Sequence, residues 1–317
     1  PRRPEKSVLY QTIQKELETW LETRAINNDI PRFVEDEFRS FLKCVILAHG
    51  FARAHCQGCG HDFLIAFSCK GRGICPSCNT RHMAQIAAHL VDHVFPKAPV
   101  RQWVLSPPKR LRYFLHHHHE YISPVLNILI SAVESQLIQS CSNGSNIPDG
   151  CRLGSVTFLQ RFGKALNPHF HFHCCIIDGV FDFDGNFHPA NFLSPDDIQS
   201  VQEQVRKRVV KLFQRKGHLN SDEASNMLSW DHGGFSLNAN VRIEAQDRAG
   251  LERLIRYCAR PIFSGERLEC IGDKLRYILP KPTSDGQTAL LLKPSELLDK
   301  LAGLIPPPRR HRHHYHG

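Results

Sequence analysis

The sequence predicts an α+β protein: a helical N-terminal region, a small zinc-binding module, and then a domain whose sheet is flanked by helices. Three observations predict it. Apolar residues recur at helical spacing near the N-terminus, two Cys-x2-Cys pairs stand between Cys56 and Cys78, and β-branched or aromatic runs alternate with helical stretches from Val100 onward. The expected segments are a helical region at 1–50, the module and a linking helix at 51–99, a sheet-containing domain at 100–263, and C-terminal strands, a helix and a basic tail at 264–317.

Leu9, Ile13, Leu17 and Leu21 repeat every fourth position, and "PRFVEDEFRSFLKCVILAHGF" continues the pattern, so residues 5–50 read as helices. After the cysteine module "MAQIAAHLVDHVF" is again helical, and "VRQWVLS" is a first strand bounded by Pro107 and Pro108. "SVTFLQRF" and "FHFHCCIID", separated by "GKALNPH", read as neighbouring strands, with turn chemistry in "DFDGN". A polar helix is expected from Pro195 to Lys216, a strand in "GGFSLNANVRI", and a helix in "DRAGLERLIRYCAR" that Pro261 closes. "KLRYIL" and "TALLL" are late strands, "PSELLDKLAGLI" a last helix and "PPPRRHRHHYHG" a basic tail.

With 317 residues the chain can bury a sizeable core, and no apolar run looks long enough for a bilayer span, so a soluble protein with no membrane partner is expected. Forty Lys+Arg against 31 Asp+Glu give a formal charge of +9, mostly arginine, which favours a polyanionic partner. No signal peptide precedes the twelve cysteines, so metal ligation in a reducing cytoplasm is expected over disulfides. Because the chain opens on Pro1, the absence of a targeting segment carries little weight.

In "CQGCGHDFLIAFSCKGRGICPSCNTRH", Cys56 and Cys59 precede Cys75 and Cys78 by a fifteen-residue gap. A Cys-x2-Cys turn lets two thiolates reach one tetrahedral ion and two turns close its shell, so these four are the expected structural Zn2+ ligands, with Cys69 and His82 spare. A closed shell has no place for substrate. The module therefore reads as structural or DNA-gripping, with Lys70, Arg72 and Arg81 available for phosphates.

On the strand after Asn167, His169, His171, His173 and Cys175 share one face, and Phe170, Phe172, Cys174 and Ile176 the other. Same-face neighbours lie roughly 7 Å apart, so two imidazoles can converge on one ion and a third ligand must come from elsewhere. Gln160 on the adjacent strand is the nominee, with Glu244 in reserve. By contrast His116 to His119, and His311, His313 and His314 of the tail, read as solvated surface.

A histidine-hydrophobic-histidine strand with a tyrosine on a later helix resembles the HUH nucleases. The likeness extends through "GFARAHCQGCG", "SCKGRGICPSC", "AAHLVDHVFPKAPVRQWVLS", "LQRFGKALN", "GFSLNANVRIEAQDRAGLERLIRYCARP" and "PPPRRHRHHYHG", which resemble rolling-circle transposases of the insertion-sequence-91 and insertion-sequence-common-region type. That resemblance implies a zinc-binding N-terminal domain followed by an HUH domain with a central antiparallel sheet flanked by helices. It places the metal-binding pair at His171 and His173, and implies Mg2+ or Mn2+ there. The implied partners are single-stranded DNA and transposon-end DNA, in a bacterial, nucleoid-associated protein that acts as a monomer or a dimer.

Among six tyrosines, Tyr257 is the candidate nucleophile. It lies near the end of the helix in "DRAGLERLIRYCARP", with Arg253 and Arg260 at helical spacing on the same face, where two guanidiniums can hold a phosphodiester beside the phenol. "YCARP" also resembles the family's catalytic-tyrosine segment. Tyr277 is second. Where some relatives carry another tyrosine four residues on, this chain has Pro261, so it resembles the single-tyrosine branch. The competing readings are a zinc-dependent DNA-binding protein without activity and a metal-dependent hydrolase that uses water.

Overall fold

A computed structural model describes residues 3–26, 30–141 and 147–317, so positions 27–29 of the expected helical region lie outside the described residues. The chain divides into two compact units. The first comprises Pro1–Ile86, Phe162–Pro168 and Arg260–Arg310, and the second Ala87–Arg161, His169–Ala259 and His311–Gly317.

In the first unit, α1 (Val8–Ala25) begins after Ser7, whose side chain accepts the Tyr10 N–H. Its stripe Leu9, Ile13, Leu17 and Trp20 is buried, and Trp20 packs edge-on to Phe38 of α2 (Arg32–Leu42). β1 (Phe51–His55) and β2 (Asp62–Ala66) form an antiparallel hairpin, followed by α3 (Pro76–His89). The chain returns later to add β9 (Leu268–Ile271), β10 (Lys274–Ile278) and β11 (Ala289–Leu292), a sheet in the order β11-β10-β9, and α9 (Pro294–Ala302). Leu297, Leu298 and Leu301 of α9 share a core with α1 and α2, and the Trp20 indole donates to Asp299 at 2.9 Å. The N-terminal helices, the cysteine module and the late strands, expected as separate segments, thus lie within one unit.

The second unit is built on a five-stranded antiparallel sheet in the order β12-β4-β5-β3-β8, from β12 (His313–His316), β4 (Ser155–Phe162), β5 (Pro168–Ile177), β3 (Val100–Ser106) and β8 (Ser236–Ile243). One face carries Phe170, Phe172, Cys174, Ile176, Trp103 and Leu105 into a core shared with α5 (Ile122–Cys141) and α6 (Pro195–Arg215). Ser194 and Asp197 close a capping box at the start of α6. The short helix α4 (Lys109–His117), the hairpin β6 (Gly179–Phe181) and β7 (Phe187–Pro189), and α7 (Ser221–Ser229) surround this core, and α8 (Arg248–Cys258) follows β8.

Two expectations are corrected here. The C-terminal "RRHRHHYHG" is not simply a solvated tail: His313 to His316 pair with Phe158 to Ser155 as the edge strand β12. The run His119–Cys141 is long and apolar enough to cross a membrane by length and composition. Its apolar character has a local cause, since Ile122, Val125, Leu126, Leu129, Val133 and Leu137 are buried in the core of this unit.

A buried ion network ties the sheet together. Arg101 donates to both carboxylate oxygens of Asp178 at 2.9 and 3.0 Å and to the Ala239 carbonyl, and Arg242 adds a third contact to Asp178 at 2.7 Å. Arg101 and Asp178 are both buried. Removing one partner strands a charge away from water, so Asp178→Ala is expected to cost about 3–5 kcal/mol, read as a lowered denaturant midpoint. A midpoint within error of the parent would show that the pair contributes no net stability.

Candidate metal centre and catalytic face

Four thiols converge in the first unit. Cys44 Sγ lies 3.6 Å from Cys78 and 3.7 Å from Cys75, and Cys69 Sγ lies 3.5 Å from Cys78. A tetrahedral zinc with Zn–S bonds of about 2.3 Å holds its sulfurs about 3.8 Å apart, so these residues fit the ion. Cys44 follows α2, Cys69 follows β2, and Cys75 and Cys78 stand at the entry of α3. The backbone N–H groups of Cys69 and Gly71 donate to Cys44 and Cys69 Sγ, both at 3.3 Å. A Cβ at Gly71 would stand 2.6 Å from Glu37 Oε1 and 3.1 Å from Cys69 Sγ, so the Glu37 carboxylate would have to shift to admit it. Hydrogen bonds among the thiols hold Cys44 down at about 7 and push Cys69 and Cys75 up. Thiolate ligation needs all four protons removed, so zinc is released as the pH falls.

This cluster differs from the expected ligand set. Cys75 and Cys78 belong to it, the spare Cys69 joins them, and Cys44, from outside the module, completes it. Cys56 and Cys59 do not enter it. They occupy the turn at the far end of the β1–β2 hairpin, and five strand residues at about 3.3 Å each carry them away from the hairpin base where Cys69 sits. The phosphate candidates also part company: Lys70 and Arg81 are exposed, whereas Arg72 donates to the Arg310 carbonyl within the same unit.

The second constellation lies on the sheet face opposite the apolar core of the second unit. His171 and His173 have ring centroids 4.8 Å apart and are largely buried, as strand alternation requires of two same-face side chains. Nδ1 of His171 donates to the His169 carbonyl at 2.9 Å, which leaves its Nε2 to offer to an ion, and Nδ1 of His173 lies 2.9 Å from the Gln102 amide nitrogen. His169 is half-buried, and burial together with Arg112 holds its imidazole below the ordinary histidine range.

Tyr257 meets this pair, and Gln160 meets the backbone of Tyr257. The Tyr257 ring stands edge-on to His173 at 5.7 Å between centroids and is 49% exposed. Gln160 Nε2 donates to the carbonyls of Tyr257 and Cys258 at 3.2 and 2.8 Å, which fixes the end of α8 against the sheet. Its Oε1 is buried without a hydrogen-bond partner, as a ligand oxygen would be in the absence of its ion. The reserve ligand is not so placed: Glu244 pairs with Arg242, and among the described residues no carboxylate joins the two histidines in a ligand cluster. Tyr277 is buried in the first unit and stacks on Phe263 at 5.3 Å, and burial pushes its phenol up.

The arginines divide. Arg253 is exposed on α8 and faces Asp247 at 3.8 Å. Arg260 does not share a helical face with Tyr257, because α8 ends at Cys258 and Pro261 bars a helical Arg260. Its guanidinium instead lies over the Phe162 ring at 5.5 Å. Gln102 carries no sequence signal of its role beyond being a polar residue beside Arg101 in the strand Val100–Ser106.

Comparison with known families decides the lineage. The family described as "Putative transposase" matches residues 154–317, and the family described as "Transposase zinc-binding domain" matches residues 12–107. The chain belongs to the insertion-sequence-91-type transposases. No curated protein and no solved structure matches it. This transposase is a DNA-acting enzyme of the cleaving and rejoining kind, and the zinc-binding family spans all four residues of the thiol cluster.

Proposed function

We propose that the transposase cuts and rejoins single-stranded DNA at transposon ends through a covalent 5′-phosphotyrosine link, as HUH rolling-circle enzymes do. The observation that carries this reading is the packing of Tyr257 against His173, with Gln160 holding the carbonyls of Tyr257 and Cys258. A divalent cation held by His171, His173 and Gln160, Mg2+ or Mn2+, would supply Lewis-acid stabilisation of charge on the scissile phosphate.

The chain's own part is nucleophilic. The Tyr257 phenol gives up its proton and its oxygen attacks phosphorus; the bond from phosphorus to the 3′ oxygen breaks, and that oxygen takes up a proton to leave as a free 3′-OH. The phosphodiester energy is kept in the tyrosyl ester, so a 3′-OH can attack it and rejoin strands without a nucleotide cofactor. Arg253 is an exposed cation on α8 suited to the DNA backbone, and Lys70 and Arg81 of the zinc-binding domain suit a second contact.

The test uses 5′- and 3′-labelled single-stranded oligonucleotides spanning a transposon end, with Mg2+ or Mn2+. The 3′-labelled fragment is expected to become protein-linked and the 5′-labelled fragment to be released. Release of both fragments free would instead mark a hydrolase using water, and binding without cleavage a DNA-binding protein.

Gln102 is assigned the role of positioning His173. Gln102→Leu is expected to weaken Mn2+ binding at the histidine pair by about 10–100-fold, measured by calorimetry, with the zinc content unchanged. Unaltered Mn2+ affinity would remove Gln102 from the site.

A further inference from the structure

The Cys56–Cys59 turn remains outside both constellations, and it has the form of half a zinc site. The Cys59 backbone and thiol, with the Gly58 backbone, hold the Cys56 thiol below the ordinary cysteine range. Gly60 N–H closes the turn on the Cys56 carbonyl at 2.8 Å, and its φ of +69° favours glycine. Cys59 is exposed and Cys56 half-exposed. Neighbouring donors face other partners: His55 Nδ1 meets Asp62 at 2.9 Å, and the His61 ring stands on Phe63. Among the described residues no group of three or more ligands includes either thiol. Two thiolates of a tetrahedral shell are therefore present, and two are missing.

The hairpin that carries this turn points to where the other two come from. In its register Ala52 lies opposite Ile65 and Ala54 opposite Phe63, so these four share one face. That face is wholly apolar, and Phe63, Ile65 and the following Phe67 are 51%, 55% and 58% exposed. The opposite face is mixed: Arg53 and His55 both reach Asp62, beside Phe51, Leu64 and Ala66. An isolated two-stranded hairpin with an exposed apolar face is marginal in water. A two-fold contact between identical faces would bury it, and with the axis along the strands would bring identical turns together.

We propose that a second copy of this chain completes the shell: Cys56 and Cys59 of each copy bind one shared zinc ion, with the Ala52, Ala54, Phe63 and Ile65 faces packed together, forming a metal-linked homodimer. The dimer follows from ligand number, since a half-shell of two thiolates needs two more donors around the cation and its own copy supplies two of the same kind.

The experiment titrates the metal-free full-length chain with Co2+, reading sulfur-to-cobalt charge-transfer absorption, which ignores histidine sites, together with molar mass by light scattering. The chain is expected to bind about half an equivalent more thiolate-ligated cobalt than Cys56→Ser/Cys59→Ser, and to double in mass as that portion binds. The double variant is expected to stay monomeric and keep the full equivalent of the internal four-cysteine cluster, which also reports its folding. Phe63→Ser retains all thiols and should require at least about tenfold more protein to dimerise, one buried aromatic side chain being lost from each copy. A monomer that binds a whole extra equivalent would place the missing ligands within one chain and overturn the proposal. So would a metal-saturated chain that stays monomeric with no extra cobalt. None of these readouts involves strand cleavage, so the dimer and the phosphotyrosine reading stand or fall separately.

Discussion

Tyr257→Phe is expected to abolish strand cleavage and the covalent protein–DNA species together, a loss on the order of 10⁴-fold or more for removal of a nucleophile. Folding should be untouched. The ring is half-exposed and the substitution keeps it, so the change in stability should fall within about 0.5 kcal/mol. Affinity for single-stranded DNA should stay within a few-fold, since phosphate contacts rest with arginine and lysine side chains. Gel analysis of labelled oligonucleotides beside a thermal melt reads all three quantities. Cleavage surviving in the variant would transfer the chemistry to water.

The second large effect lies in the thiol cluster. Structural zinc contributes an apparent 10–16 kcal/mol in small zinc domains, roughly the whole stability of a typical domain. Cys75→Ser breaks the shell at a buried position flanked by Ile74 and Cys78 in the core of the first unit. It is expected to lose about one equivalent of zinc per chain and to unfold the first unit, seen as exposed tryptophan fluorescence from Trp20, which is 5% exposed in the native fold. Zinc content and melting equal to the parent would show that these thiols do not share an ion.

The difference between that cluster and the ligands read from spacing shows where a sequence runs out. A Cys-x2-Cys pair is a local fact, and Cys75 and Cys78 lie together in the thiol cluster. Which second pair joins them depends on where a hairpin points, and the β1–β2 register carries Cys56 and Cys59 away while returning Cys69 to the base. Cys44 had no local partner to mark it. Strand alternation was more legible, because the period of two puts Phe170, Phe172, Cys174 and Ile176 in the core and leaves the histidines on the other face. Helical spacing misplaced Arg260 since it assumed a helix that ends two residues earlier. Composition misread the tail, whose histidines form the edge strand β12 through backbone pairing that side-chain chemistry does not announce. Gln102 was hidden for a related reason: its role depends on which strand lies beside β5.

The central claim is that one phenol, placed on the end of α8 beside the histidine strand, becomes linked to DNA. Mass spectrometry of protease-digested covalent complex measures this directly. The account predicts a 5′-phosphonucleotide on the peptide containing Tyr257 and on no other tyrosine peptide. The same modification on the peptide containing Tyr277, or cleaved DNA with every tyrosine peptide unmodified, would contradict it.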